Sequence, residues 1–392
     1  MPARASLCLL ALAASASAQS RTWIVDASNG PGTHFTDLPP AIAAASDGDV
    51  VVVRAGTYGA FSTGKALAVL GAAGASVAAS PTAPAVEATG LPAGRTFALK
   101  GLTLVAVAGA PLLALRSSPG RIRLESIRHA GAPFAPVVVD RCPEVTVRDW
   151  SGGLAERFEI TRSGVVLTRT ALTGWPANAS PLVQGSPPVV ATLSALWCTD
   201  CTFTGGAGHA PSLPPTSGLH VATCAVRIDG ASAVAAGSLT PSQPLPVSAI
   251  TAPGSSIALD PAVVLTSYQQ APPISGAGMV VTQRLASLDA PAASLGGMLA
   301  PTVRSGPGDA FALVLGLPTD STLSPIGALF VDLSTAVLAG QGVQGAGGRT
   351  SFAFGVPNDP ALRGVTLALQ AANSYLGEAR LGLTNPRLVT FD

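Results

Sequence analysis

A six-residue pattern, apolar-x-apolar-x-x-apolar-or-small, recurs between residues 97 and 224. Successive copies start 20 to 31 residues apart, and the first and third positions of every copy are apolar. The six copies begin at Phe97, Ile122, Val145, Val165, Leu196 and Leu219. Self-similarity at this period is the signature of a stacked repeat array.

Each copy is too short for a helix, and its first three residues alternate with the period of a β-strand. One such strand per coil, followed by a turn-rich return, predicts a parallel β-solenoid whose inward residues are buried by stacking. We expect the first and third positions to point inward and the solenoid to be right-handed, because parallel crossovers strongly favour that hand. The longest step contains turn-forming residues at 174–178 and 185–188, which predict a loop inserted on one face.

The N-terminus predicts export. Arg4 supplies a positive start, Leu7 to Ala14 an apolar core, and Ala16-Ser17-Ala18 a small-x-small cleavage site, so residues 1–18 are predicted to be a signal peptide. We therefore expect a secreted or cell-surface protein in which disulfides are permissible.

The region after the signal predicts a capped solenoid end. Residues 22–26 read as a strand, and Phe35, Leu38, Ile42 and Ala45 have helical spacing, with Thr36 or Asp37 as N-cap. The segment 47–58, DGDVVVVRAGTY, follows, with Ala55 where a proline is usual. This order resembles the start of secreted right-handed parallel β-helix proteins of the pectin-lyase-like superfamily. The resemblance covers roughly residues 20–270, and it implies that the helix covers the edge of the first coil.

The C-terminal part has a different rhythm. Residues 271–285 are rich in Pro and Gly and predict a linker after a β-helix domain spanning 19–270. Alternating apolar residues then predict antiparallel strands around Phe311, Leu329, Phe352 and Leu367, ending with a strand at 388–391. We expect residues 286–392 to form a β-sandwich. This region resembles all-β modules at the C-terminal ends of large secreted bacterial proteins. Such a module would serve in sorting, anchoring or binding.

Charge narrows the choice of partners. Charged residues make up 11% of the chain, the net charge is +1, and Lys65 and Lys100 are the only lysines. Nucleic acid is not expected as a partner, because such binding depends on neutralising phosphates. After the N-terminus no apolar run approaches the roughly 20 residues needed to span a bilayer. The sequence predicts a protein that is monomeric and does not span a membrane.

The resemblance implies activity on polysaccharides. Lyases of that superfamily bind calcium through several carboxylates and use an arginine, whereas its hydrolases use paired aspartates. When the copies are stacked, their fourth and fifth positions form columns in which adjacent charges alternate in sign. The fourth column reads Lys100, Glu125, Arg148, Thr168, Thr199, Ala222, and the fifth reads Gly101, Ser126, Asp149, Arg169, Asp200, Thr223. Alternation predicts ion-pair ladders on the solvated surface and not a calcium site. Asp149, Arg169 and Asp200 are the candidates if the protein is a lyase, and calcium is expected as a cofactor only in that case.

Two further predictions concern single side chains. Trp197 falls at an outward position and is the better candidate for a platform on which a sugar ring stacks, whereas Trp150 is predicted to lie in the core. The four cysteines outside the signal allow three pairings, and composition leaves all three open. Cys201 and Cys224 share the sixth position of consecutive copies, so the stacking favours a disulfide between them. Cys142 and Cys198 are predicted to be free.

These observations favour an exported, non-catalytic β-helix protein that acts in cell-surface structure, adhesion or glycan binding, without catalytic residues, cofactor or metal. The alternative is a polysaccharide lyase or glycoside hydrolase of the same superfamily. Fold alone does not decide between them.

Overall fold

The computed structural model describes residues 20–152, 156–179, 182–183, 185–208, 213–238, 246–324, 327–378 and 380–391. The predicted signal peptide therefore lies outside the described residues. The chain divides into two compact units, Arg21–Thr282 and Gln283–Asp392.

The first unit is a right-handed parallel β-helix built from three long sheets, which confirms the predicted fold. All neighbouring strands within each sheet run parallel. Sheet 1 contains Thr22–Val25, Val50–Val53, Ala68–Gly71, Thr96–Lys100, Arg121–Glu125, Glu144–Arg148, Gly164–Thr168, Ala195–Thr199, Ala225–Asp229, Ser256–Leu259 and Met279–Thr282. Sheet 2 contains Gly56–Tyr58, Ala75–Ala78, Thr103–Ala106, Arg128–Gly131, Ser151–Gly152, Ala171–Thr173, Thr202–Thr204, Ala233–Ala235 and Val264–Thr266. Sheet 3 contains Phe61–Thr63, Val86–Thr89, Leu113–Arg116, Pro136–Asp140, Arg157–Thr161, Val189–Thr192, Leu219–Ala222, Ile250–Thr251 and Ile274–Ser275. A full coil thus has three strands, not the single strand expected from the pattern.

The first five copies of the sequence pattern lie in register in sheet 1. Phe97 aligns with Ile122, and Val145, Val165 and Leu196 follow in the same column. These residues are at most 2% exposed, which confirms that the first position points inward. The third position is equally buried, from Leu99 through Cys198.

The sixth copy was assigned wrongly. Leu196 pairs with Val226, whereas Leu219 lies on sheet 3, where its neighbour His220 pairs with Val190. The cause is that sheet 3 carries the same pattern as sheet 1. In the central coils, the strands of both sheets are followed by a left-handed residue, at φ of 53° for Asp200 after a sheet 1 strand and 54° for Thr223 after a sheet 3 strand, so the two sheets are alike at the level of sequence.

A ladder of small polar side chains joins the coils at the corner between sheets 3 and 1. Each side chain accepts a hydrogen bond from the backbone of the preceding coil and donates to a carbonyl two residues back in its own coil. Cys142 N–H donates to Ser163 Oγ, Ser163 N–H to Ser194 Oγ and Cys224 N–H to Ser255 Oγ, at 3.0–3.1 Å. Sulfur takes the place of oxygen at two steps, since Cys142 and Cys224 Sγ donate to the carbonyls of Asp140 and Ala222. The ladder satisfies backbone donors that would otherwise be buried without a partner.

The predicted Cys201–Cys224 disulfide is wrong. The four described cysteines are buried and no disulfide joins them, and Cys201 sits at a different corner, where its N–H donates to Ser232 Oγ. The error follows from the misassigned sixth copy. Cys198 lies at neither corner, because it occupies the inward apolar column between Leu167 and Ile228. Burial raises the pKa of the Cys142, Cys198 and Cys224 thiols, so these thiols are unreactive at neutral pH.

The N-terminal end is closed by helix α1, Leu38–Ala44, as predicted. Asp37 is the N-cap, and its Oδ1 accepts hydrogen bonds from the N–H groups of Leu38 and Gly59. At the other end of α1, Lys65 Nζ donates to the carbonyls of Ile42, Ala43 and Ala45 at 2.7–2.9 Å. A positive charge at this position interacts favourably with the negative end of the helix dipole.

The solenoid continues further than predicted. Ile274–Ser275 and Met279–Thr282 pair in parallel with the strands of the preceding coil, so most of the predicted linker 271–285 is a final coil. The composition of residues 271–285 suggested a linker because the tight corners of a solenoid coil are also rich in Pro and Gly.

The second unit consists of antiparallel sheets around its own apolar core, as predicted for a β-sandwich. Its main sheet is formed by Val337–Val343, Ala310–Gly316, Thr366–Ser374, Leu381–Leu383 and Arg387–Thr390. Smaller sheets contain Ser287–Asp289, Thr302–Arg304 and Arg349–Ser351; Met298–Leu299 and Phe354–Gly355; and Pro318–Ser324 and Gly327–Val331. A 3-10 turn covers Pro360–Leu362.

We predict that serine replaces cysteine freely in the ladder but not in the core. Cys142→Ser and Cys224→Ser keep both hydrogen bonds, so the free energy of unfolding should change by less than about 1 kcal/mol. Cys198→Ser places a hydroxyl in an apolar column and should cost about 1–3 kcal/mol. Urea denaturation of the three variants checks this, and equal losses would contradict the ladder.

We also predict that Asp49 makes the capped end sensitive to acid. Burial alone would raise the pKa of Asp49, but hydrogen bonds from Ser46 N–H, Trp23 Nε1 and Arg21 N–H leave it below its ordinary value. The resulting stability is present above about pH 3.9 and is lost as the pH falls through the lower folded-state value. The urea midpoint of Asp49→Asn should be lower than wild type at pH 7 by the equivalent of about 1–2 kcal/mol, and the difference should shrink at pH 3. A constant difference would exclude this role for the ionised carboxylate.

Candidate functional site

The three residues named for a lyase are stacked on consecutive coils at the corner after sheet 1. Arg169 binds Asp149 with two hydrogen bonds of 2.7 Å, from Nε to Oδ1 and from Nη2 to Oδ2. Arg148 Nε lies 3.2 Å from Asp149 Oδ2. On the following coil, Asp200 Oδ1 accepts a hydrogen bond from Ala231 N–H at 2.8 Å. The column is therefore a ladder of alternating charge, as expected, with each carboxylate engaged by its neighbours.

The fourth column also forms ion pairs, but it is buried and not solvated. Arg148 Nη1 lies 3.6 Å from Glu125 Oε1, and Lys100, Glu125 and Arg148 are each at most 7% exposed. Correcting the register places Asp229, which is fully buried, at the end of this column. Burial raises the pKa of Asp229. The positive charge of Arg227, together with the hydrogen bonds that Asp229 accepts from Trp197 and Arg227, opposes this increase. Side chains one strand spacing apart cover one another, which the composition of a column does not reveal.

Trp197 points outward as predicted, but its ring is used within the protein. The Arg227 guanidinium lies 4.2 Å from the ring centroid, and the indole N–H donates to Asp229 Oδ2 at 3.0 Å. In the preceding coil Val166 is its register partner. With a cation over one face of the ring, Trp197 is poorly placed to stack on a sugar.

A second aromatic cluster lies at the corner between sheets 2 and 3, where the predicted insertion begins. Trp175 and Phe134 pack edge to face, with ring centroids 5.5 Å apart. Trp175 is held by the backbone, because its carbonyl accepts from Ser186 N–H at 2.9 Å, and because Gly206 leaves the space that a Cβ would fill against that carbonyl. Phe134 is 43% exposed and has φ of +69°, a left-handed conformation that is unfavourable for a bulky residue.

Charged side chains on the outer surface of sheet 3 border this cluster. The Arg157 guanidinium lies 5.4 Å from the Trp175 ring centroid, and its Nε lies 3.0 Å from Glu159 Oε1. His220 follows in the same outward column as Glu159, with Val190 between them. Burial lowers the pKa of His220 below its ordinary value, and the positive charge of Arg157 adds to this effect. An exposed ring, Phe134, and the half-buried side chains of Trp175, Arg157 and Glu159 thus share one corner, which we call the Trp175 corner.

A buried polar cluster lies beneath the Trp175 corner. Glu156 Oε1 is 3.0 Å from His129 Nδ1, and Glu156 Oε2 accepts from Trp150 Nε1 at 3.0 Å. Trp150 is 1% exposed, which confirms its predicted core position, and it packs edge to face on Phe158. The carboxylate is engaged at both oxygens and shielded from solvent, so this cluster holds the start of the sheet 3 strand in place and cannot reach a ligand.

The sequence contains part of the signal for this site. The insertion at 174–178 was visible from its turn residues, and Arg157 is the basic residue of the acid-base dipeptide Glu156-Arg157. Phe134 could not be found, because its exposure depends on a left-handed corner that no pattern marks. Its proximity to Trp175 spans two coils and therefore depends on the tertiary register.

Among the described residues, no group of three or more His, Cys, Asp or Glu side chains could hold a metal ion. No helix in the described part of the chain is long and apolar enough to cross a membrane.

Comparison with solved structures shows only weak similarity. No protein-family model and no curated protein matches the chain. Among solved structures, the chain is similar to full-length tailspike protein 2 of the Escherichia coli O157:H7 bacteriophage CAB120, with 10% identity and a TM-score of 0.20. The alignment covers 82% of this chain and 61% of the tailspike chain, so this chain spans less than two thirds of that length. A similarity at this level carries no argument about function.

We predict that the Asp149–Arg169 pair stabilises the solenoid. Asp149→Asn and Arg169→Gln should each lower the free energy of unfolding by about 1 kcal/mol, because a two-bond ion pair is lost from a partly buried site. In a double-mutant cycle the two effects should not add. Arg141→Gln is the matched control, since Arg141 pairs with Asp140 at a more exposed corner and should cost less. Additive losses would contradict direct coupling.

Proposed function

We propose that this protein is an exported, non-catalytic β-helix that binds glycans at the Trp175 corner and acts in cell-surface structure or adhesion. The observation that carries the proposal is the pairing of an exposed, strained aromatic residue, Phe134, with Trp175 and Arg157 on one accessible surface.

The chemistry of the corner suits a sugar ring. Aromatic side chains offer apolar faces to the C–H groups of a pyranose, while arginine and glutamate bind its hydroxyls. Backbone strain of the kind seen at Phe134 is kept where the surrounding structure requires it, and it concentrates at functional sites.

The surroundings can accommodate an oligosaccharide. From the corner, the outward column of sheet 3 continues through Glu159, Val190, His220 and Thr251, none of which is buried. These side chains are spaced by the roughly 4.8 Å between strands, on a scaffold held by backbone hydrogen bonds in every coil. Little ordering is needed before binding, which favours affinity.

The contacts of the lyase candidates support a non-catalytic role. Arg169 would have to be free to act on a substrate proton, yet its guanidinium makes two short hydrogen bonds to Asp149. Asp149 and Asp200 are likewise engaged within the ladder.

The test is binding of the mature protein to a glycan array, followed by calorimetry with the best oligosaccharide. Trp175→Ala and Phe134→Ala should each weaken binding about tenfold or more, as expected for a central aromatic contact. Trp197→Ala is the matched control and should bind as the wild type does. Loss of binding in Trp197→Ala alone would move the site to sheet 1, and release of unsaturated or reducing sugars by the wild type would overturn the non-catalytic proposal.

A further inference from the structure

Two arginines occupy consecutive coils at the corner between sheets 3 and 1. Arg141 and Arg162 each follow a sheet 3 strand, and Arg141 N–H donates to the carbonyl of Thr161, the residue before Arg162, at 3.0 Å. Strands of consecutive coils are about 4.8 Å apart. Both arginines are exposed, and the side chain of Arg141 is 59% exposed. Two exposed cationic side chains therefore leave the backbone one strand spacing apart.

The fold does not require arginine at this corner. Arg141 and Arg162 are left-handed, with φ of 54° and 48°, a conformation that favours glycine. Gly90 and Gly254 occupy the same corner in other coils. In addition, like charges on neighbouring strands repel each other. The arginine pair is thus unfavourable for the backbone and for the charge balance, which indicates a role other than stabilising the solenoid.

The corner carries a positive charge that the chain does not neutralise. Arg141 Nε donates to Asp140 Oδ2 at 3.0 Å, which leaves the two Nη groups of Arg141 for another partner. Within the described ranges, no carboxylate pairs with Arg162. Glu159, on the strand that leads to Arg162, lies 3.0 Å from Arg157 instead. A ligand at this corner is therefore expected to be an anion.

Two threonine hydroxyls border the arginine pair. Thr161 precedes Arg162, Thr192 is the register partner of Thr161 in the next coil, and both side chains are half-buried. They lie in the outward column of sheet 3 that also contains Asp140. A carboxylate has two oxygens and is bound by a single guanidinium group. A phosphate or sulfate ester has three terminal oxygens, so it can accept hydrogen bonds from two arginines and a hydroxyl at once.

We propose that Arg141 and Arg162 form a binding site for a tetrahedral oxyanion, the phosphate or sulfate ester of an anionic polymer. The Nη groups of Arg141 and the guanidinium group of Arg162 bind the ester oxygens, and Thr161 donates a further hydrogen bond. Asp140 holds Arg141 in position through Nε.

The site does not depend on the proposed glycan site, but one strand connects the two. Arg157 at the start of the strand Arg157–Thr161 contacts Trp175, and Arg162 follows its end. Five residues of extended chain span about 16 Å. A glycan that carries the ester can therefore reach both sites.

The experiment is an NMR titration of the uniformly ¹⁵N-labelled mature protein with sodium sulfate and with sodium phosphate, at pH 7 and constant ionic strength. The Nε–Hε signals of arginine are followed and assigned with Arg141→Gln and Arg162→Gln. We expect saturable shifts of both signals with a Kd of about 1–10 mM, as suits an exposed ion pair. Arg162→Gln should weaken sulfate binding about tenfold, and Arg141→Gln about threefold or more. The anion that binds more tightly identifies the ester.

Arg128 is the matched control, because it is exposed and its register partners are Thr103 and Ser151, so that no second arginine lies beside it. Its signal should show no saturable shift. Trp175→Ala should bind sulfate as the wild type does, which separates this site from the glycan site.

Three results would overturn the proposal. If the Arg162 signal shifts no more than that of Arg128, the corner is not an anion site. If acetate binds as tightly as sulfate, the arginines act singly and the site does not select a tetrahedral anion. If Arg141→Gln leaves the affinity for sulfate unchanged, the site does not use both arginines.

Discussion

The structure depends on the stacking of one coil on the next. A single coil of three short strands cannot bury its inward residues or satisfy its backbone, so both requirements are met only by the coil before and the coil after. The Ser/Cys ladder follows the same rule, because each side chain accepts a hydrogen bond from the preceding coil. The stability of each coil therefore depends on its neighbours along the solenoid axis, and every column of side chains depends on the register in which the strands pair.

Because the coils must stack in register, side chains that serve a function are expected mainly at the corners between the sheets. The inward columns must be apolar, and the charged side chains in the fourth column of sheet 1 form buried ion pairs with one another. Corners tolerate insertions because strand pairing continues on both sides of them. The Trp175 corner arises at such an insertion, above the buried cluster of Glu156, His129 and Trp150, which holds the strand that carries Arg157. The proposed binding site therefore lies at a corner, where the stacking of the coils leaves room for variation.

The sequence predicted the solenoid because inward apolar columns, a capping helix and a turn-rich composition are properties of local pattern. It failed where two local patterns are alike. Leu219–Cys224 on sheet 3 and Val226–Asp229 on sheet 1 both alternate beside a left-handed corner, and only strand pairing separates them. The disulfide error followed from that choice. The charged ladder was predictable for Asp149 and Arg169 because the spacing is regular there, whereas the Phe134–Trp175 contact across two coils and the Arg227 guanidinium over Trp197 depend on the register itself.

The register can be tested directly by the state of the cysteines. The purified mature protein is denatured without reductant, alkylated and mapped by mass spectrometry. With Cys201 stacked on Ser232 and Cys224 placed between Ser194 and Ser255, we expect Cys142, Cys198, Cys201 and Cys224 all to be alkylated. A peptide linked through Cys201 and Cys224 would contradict the register, and with it the ladder and the positions of the columns on every later coil.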